Sequence, residues 1–146
     1  MADVRRLSFW HETVDDDLTP RPSLPGDIDV DVAIVGAGYT GLWTAYYLRQ
    51  HDPSLQVAVV EREIAGFGAS GRNGGWCSAL FAGSREMSAH RHGREGAIAL
   101  ERALFGTVDE IGRVVAEEGI DCHWSKGGTL QVATKRAHVE RFRREL

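Results

Sequence analysis

Cysteine is scarce in this 146-residue chain: Cys77 and Cys122 are its two thiols, 45 positions apart and outside CxxC spacing. Two thiols close one bridge at most, so a disulfide scaffold is excluded and a reducing, cytoplasmic setting is the expectation. Long apolar runs are lacking too. The most apolar stretch, residues 30–43, is broken by glycines. It falls short of the roughly 20 residues that cross a bilayer, so no transmembrane segment is expected. Neither sign of charge dominates, since 17 Lys and Arg against 21 Asp and Glu leave a formal net charge of -4. The basic residues are scattered along the chain, and nucleic acid is not an expected partner. No export signal is expected, because Arg5-Arg6 runs into His11-Glu12-Thr13-Val14-Asp15-Asp16-Asp17 where an apolar stretch is required.

Proline is rare, and three of the four, Pro20, Pro22 and Pro25, fall within the first 29 residues. Together with the acidic run Asp15 to Asp17 they predict an extended arm over residues 1–29, with Phe9 and Trp10 as its large apolar anchors. At Val30 the character changes. The β-branched run Val30-Asp31-Val32-Ala33-Ile34-Val35 ends at Gly36 and reads as a buried strand. Residues 39–51 place Leu42, Ala45, Tyr46 and Leu48 at helical spacing before Asp52-Pro53 stops the helix. Residues 55–60 predict a second strand that closes on Glu61. Strand, helix and strand within about 30 residues make a βαβ unit.

Farther along, Ala97, Leu100, Leu104, Val108, Ile111 and Val115 line one face of a helix that Gly119 terminates. Residues 129–133 predict another strand, and residues 135–146 a charged helix. The fold class is α/β, with a Rossmann-like parallel sheet starting at Val30 and the arm packed on its surface. Residues 30–146 are expected to be the N-terminal part of a cofactor-binding domain. The chain stops inside charged helical sequence with no capping glycine, so the domain is expected to be incomplete at its C-terminus, with the substrate domain absent.

Gly36-Ala37-Gly38-Tyr39-Thr40-Gly41 is a GxGxxG segment that follows a predicted strand and opens a predicted helix. Glu61 closes the next strand 20 positions after Gly41, the context that turns a common pattern into a dinucleotide fingerprint. Gly36 permits the turn off the strand, Gly38 lets a pyrophosphate approach the backbone at the positive end of the helix, and Gly41 allows the helix to pack closely on the strand. Glu61 is placed to accept hydrogen bonds from ribose hydroxyls, and its charge disfavours NADP. NAD and FAD both stay open at this point.

A second glycine-rich segment favours the longer cofactor. Residues 66–75, Gly-Phe-Gly-Ala-Ser-Gly-Arg-Asn-Gly-Gly, hold five glycines in ten positions. Such a loop exposes successive amides and lets a flat ligand lie against main chain, with Ser70 and Asn73 as side-chain partners. An NAD-dependent dehydrogenase would leave this segment without a role. On the blocks Asp31 to Gly41, Val60-Glu61 and Gly68 to Gly75, the chain resembles the D-amino-acid-oxidase-like (DAO) FAD-dependent oxidoreductases, and within them the γ-glutamylputrescine oxidase group. Ser8-Phe9-Trp10 and residues 128–133 resemble the family more loosely.

The resemblance implies FAD as cofactor and an oxidation of the C–N bond of a small amine or amino acid. Hydride passes to flavin, the imine hydrolyses, and oxygen is the expected acceptor. It places Ser70 and Asn73 on the cofactor, with Gly74 and Gly75 near the flavin ring. The cofactor-binding set is Gly36, Gly38, Tyr39, Thr40, Gly41, Glu61, Arg62, Gly68, Ala69, Ser70, Asn73, Gly74 and Gly75. No catalytic acid or base stands out. The remaining candidates read more simply as structure. Cys77 is a small buried hydrophobe, and His90 and His92 lack partners at zinc-ligand spacing. His123 is a local packing residue, and Trp43 is helix–sheet packing. Trp76 is the one tryptophan to consider as a wall of the flavin pocket.

Overall fold

A computed structural model describes residues 3–145 except 82, 84 and 131. They fall into two compact units, residues 1–76 and 77–146.

The first unit is built on a parallel strand pair. Strand β1 (Val32–Val35) and strand β2 (Val57–Val60) pair in register from Val32 with Val57 to Val35 with Val60. Helix α2 (Tyr39–His51) connects them. The β-branched runs form both strands, as their composition predicts, but each begins two residues later than expected. Side-chain and turn bonds take over there: Asp31 and Val32 both donate to the Gln56 carbonyl, while the Asp31 carboxylate accepts from the Gln56 amide at 2.8 Å. Helix α2 spans the residues expected. It ends where Asp52 turns extended ahead of Pro53, and Asp52 then accepts from both the amide and the hydroxyl of Ser54. Along α2, Trp43 stacks on Tyr47 with ring centroids 5.5 Å apart and meets Tyr46 edge-on.

Helix and strand approach closely at one point. A Cβ on Gly41 would lie 2.0 Å from the Gly36 carbonyl oxygen and 3.3 Å from Ile34 Cγ2, so only glycine fits. Ala37 and Ile64 are the buried apolar residues of this unit.

The first 29 residues are not extended throughout. A 3₁₀ turn (Val4–Leu7) and a short helix α1 (Phe9–Thr13) precede an irregular stretch. Both have side-chain caps: Asp3 accepts from the Arg5 amide, and Ser8 from the His11 amide at 3.2 Å. Arg5 then fixes the turn that follows by donating to the carbonyls of Val14 and Asp16, each at 2.9 Å.

In the second unit α3 (Arg85–Glu117) contains the predicted apolar face and reaches farther toward the N-terminus, across a non-helical Gly93. Gly119 ends it as expected, at φ +62° with the Ile120 amide bonded back to the Val115 carbonyl at 2.9 Å. Helix α4 (Arg136–Glu145) accounts for the charged C-terminal segment. The predicted strand over 129–133 is not formed by Thr129, Leu130, Val132 or Ala133, and Gln131 lies outside the described residues. Leu130 is 88% exposed, so the alternating pattern here has no neighbouring surface to pack against. Both cysteines are free. Among the described residues no helix is long and apolar enough to cross a membrane.

Candidate cofactor-binding site

The site is assembled where the two glycine segments meet at the N-terminus of α2. A helix leaves its first amides without intrahelical partners, and here the capping position is Gly38, which has no side chain to satisfy them. Ser70, from the second segment, takes that place: its Oγ accepts from the Tyr39 amide at 3.0 Å. A Cβ on Gly38 would stand 3.0 Å from the same oxygen, so the missing side chain is what admits the hydroxyl. The amides of Gly38, Thr40 and Gly41 have no partner among the described residues. They are free donors at the positive end of the helix dipole, the arrangement that binds phosphate.

Two more bonds clamp the segments together through Ala37. Its amide donates to Glu61 Oε2 at 2.8 Å, and its carbonyl accepts from the Gly66 amide at 2.9 Å. The other Glu61 oxygen accepts from the Glu63 amide at 3.1 Å. The Ala37 amide first, then that of Glu63, hold the Glu61 carboxyl below its ordinary range, with a smaller contribution from the Arg62 charge. Glu61 is therefore an anion that shapes the first glycine turn.

The second segment closes on itself. A Cβ on Gly71 would lie 2.2 Å from the Gly66 carbonyl oxygen, so the turn from Gly66 to Gly71 is as tight as backbone allows. Arg72 donates to the Phe67 carbonyl at 2.8 Å and sets its guanidinium over the Phe67 ring. Asn73 works inside the loop: its amide donates to the Ser70 carbonyl at 2.7 Å and reaches the Tyr39 hydroxyl at 3.3 Å, while its Oδ1 accepts from the Gly75 amide at 2.7 Å.

The structure thus gathers Gly38, Tyr39, Ser70, Glu61 and Asn73 at one place, with Gly36 turning at φ +100° and Gly41 against the strand. Ala69 forms the 3₁₀ turn Ala69–Gly71 that carries Ser70. Gly68 and Gly74 have open space where a Cβ would point. The Arg62 side chain is exposed and pairs with Glu63 at 3.3 Å. Trp76 is 72% exposed. Sequence reasoning gave no part in the site to Ala37, the phenol of Tyr39 or His11, and it read Trp10 only as an apolar anchor and Ser8 only through the looser resemblance, without their bonds to the second segment. Ser8 carries a legible sign, an N-cap residue ahead of a short helix; His11, 5% exposed, carries none.

Comparison with known proteins identifies the family. The family model DAO, FAD dependent oxidoreductase, matches residues 31–146. γ-Glutamylputrescine oxidoreductase of Escherichia coli (strain K12) is 32% identical over 131 residues, covering 86% of this chain and 30% of that protein. Probable oxidoreductase OrdL of Haemophilus influenzae is 34% identical over 107 residues, covering 73% of this chain and 24% of that protein. The chain thus spans less than a third of the length of these relatives. No solved structure matches it. The family match extends over most of the chain and takes in both glycine segments, so the chain belongs to the DAO family of FAD-dependent oxidoreductases, and its cofactor is FAD.

Proposed function

We propose that these residues form the ADP-binding part of an FAD enzyme that oxidises the C–N bond of a small amine or amino acid. The observation that carries this reading is the Ser70 hydroxyl seated on the Tyr39 amide, with amides on both sides of it that have no partner among the described residues. A pyrophosphate fits there. The amides of Gly38, Thr40 and Gly41 would donate to its oxygens, and Ser70, whose oxygen already accepts from Tyr39, keeps its own hydrogen to donate. Glu61 has acceptor capacity left on both carboxylate oxygens for ribose hydroxyls. The open positions at Gly68 and Gly74 leave room for the rest of the cofactor along the second segment.

Bound FAD supplies the two-electron acceptor for hydride from the substrate carbon next to nitrogen, with water hydrolysing the imine and oxygen as the proposed reoxidant. The contribution of this chain is to bind and orient. Its helix terminus offsets the diphosphate charge, and the clamped glycine turns hold the cofactor in one register. Residues 1–29 serve as an arm on the glycine segments, and residues 30–146 belong to the FAD-binding domain. The short coverage of the relatives favours a second reading beside this one, in which these 146 residues bind cofactor without turning over substrate.

Visible absorbance of the purified protein, followed by addition of γ-glutamylputrescine, putrescine, sarcosine, glycine and D-amino acids with detection of peroxide, tests both readings. Bleaching of the flavin band by one of these amines is the expected result for the enzyme. A stable flavin spectrum with no bleaching selects the cofactor-binding module. A colourless protein that FAD cannot reconstitute removes both.

A further inference from the structure

Three of the arm's residues meet the second glycine segment at alternate positions. Ser8 Oγ donates to the Gly71 carbonyl at 2.6 Å, and Trp10 Nε1 donates to the Asn73 carbonyl at 2.7 Å. The Trp10 ring also covers Gly75, where a Cβ would lie 2.4 Å from ring carbon Cζ2. His11 supports the first of these bonds. Ser8 has one hydroxyl hydrogen and gives it to Gly71, so the 2.6 Å contact between Ser8 Oγ and His11 Nδ1 requires the imidazole nitrogen to donate. A Cβ on Gly71 would come within 2.8 Å of His11 Cε1. His11 is the buried polar side chain of the unit, at 5% exposure, and it lies at the joint between arm and loop.

These contacts divide the glycines of the loop into two kinds. Gly71 and Gly75 have their missing side chains filled by the arm or by the loop's own backbone, whereas Gly68 and Gly74 face open space. The sequence offers no basis for setting Gly75 apart from Gly68 and Gly74, since all three read alike as places for ligand to approach.

We propose that Ser8, Trp10 and His11 are positioning residues for the cofactor. They strap the second glycine segment into the one shape in which Ser70 caps α2 and Gly68 and Gly74 stay clear for FAD. The proposal rests on the reading of that segment as part of the FAD site. The chain of contacts is short: Trp10 holds the Asn73 carbonyl, Asn73 holds the Ser70 carbonyl and the Gly75 amide, and Ser70 holds Tyr39. Loosening the arm therefore frees the serine that completes the phosphate-binding terminus, although Ser8 and Trp10 bond to the loop and not to that terminus.

The test is FAD affinity by flavin fluorescence titration of the full chain, in the wild type and in Ser8→Ala, Ser8→Thr, Trp10→Phe and Trp10→Ala. Circular dichroism identifies any variant that does not fold. Each arm hydrogen bond holds the bound shape of the loop, so Ser8→Ala and Trp10→Ala are expected to weaken FAD binding on the order of tenfold. Ser8→Thr, which keeps the hydroxyl, should restore binding to within about threefold of wild type. Trp10→Phe keeps a ring over Gly75 and loses only the N–H, and should fall between wild type and Trp10→Ala. If the alanine variants do not fold, Trp10→Phe decides on its own: weakened binding in a folded protein supports the strap, and unchanged binding overturns it. Alanine variants that fold and bind FAD as tightly as wild type overturn the strap while leaving the cofactor site intact. A wild-type chain that binds no FAD overturns the cofactor site itself, and the strap with it.

Discussion

Replacing Gly41 by alanine brings two effects of opposite sign into direct competition. Alanine favours a helix interior over glycine by about 1 kcal/mol, so on propensity alone the variant should be more stable. The new methyl, however, would stand 2.0 Å from the Gly36 carbonyl oxygen and 3.3 Å from Ile34 Cγ2. That oxygen is backbone, held in the turn that leaves β1, and cannot rotate aside. To reach ordinary contact, α2 must lift from β1 by roughly 1 Å or more, and overpacking of this kind costs about 1–3 kcal/mol, at the upper end where backbone is the obstacle. We expect a net loss of about 2 kcal/mol. Gly106→Ala is the matching control: it lies in α3 with nothing near its missing Cβ, so the propensity effect should act alone and stabilise by about 0.5–1 kcal/mol. Urea unfolding followed by circular dichroism reads both, as midpoint shifts of opposite sign. Gly41→Ala at or above wild-type stability would refute the close approach of helix and strand on which the first glycine turn depends.

Three further outcomes follow from the same geometry. Glu61 has a depressed pKa in the folded chain, so its contribution to stability is complete above the ordinary glutamate range and disappears as pH falls through the lowered value. Urea midpoints measured from pH 6 to pH 3 should therefore fall more steeply for wild type than for Glu61→Gln, and parallel curves would contradict the assignment. Ser70→Ala leaves the Tyr39 amide uncapped and removes a donor from the proposed phosphate site, and should weaken FAD binding at least about tenfold by fluorescence titration. An unchanged affinity would place the cofactor elsewhere. Gly119→Ala forces a side chain into φ +62° in open space, and the left-handed conformation alone should cost about 1 kcal/mol in a thermal melt. No loss would remove the glycine cap at the end of α3.

What could be read from the sequence was what local chemistry decides. Helix α2 is legible to the residue because its boundaries are a glycine turn and an Asp-Pro pair, both written into adjacent residues. The turn at Gly36 and the close approach at Gly41 are legible for the same reason, since a positive φ or a missing Cβ matters there within a few residues, whereas the missing Cβ of Gly38 meets Ser70 from the second segment, which no local pattern announces. Helix α1 was hidden because five residues give no periodicity, and Ser8, its cap, also has a partner 63 positions away. The segment 129–133 has a strand-like pattern but meets no pairing partner among the described residues, and pairing is not a local property. Asn73 reads from the sequence as a cofactor contact, whereas in the structure its side chain bonds to Ser70, Gly75 and the Tyr39 hydroxyl. That outcome depends on how tightly the loop closes. The division between Gly71 and Gly75 on one side and Gly68 and Gly74 on the other was illegible because the arm that creates it lies more than 60 residues upstream.

Amide chemical shifts during a titration of the isotope-labelled chain with FAD address the site most directly. If this site holds the pyrophosphate, the amides of Gly38, Thr40 and Gly41 shift together with that of Ser70 and saturate at one stoichiometric equivalent. FAD that binds while those four amides stay where they were would contradict it.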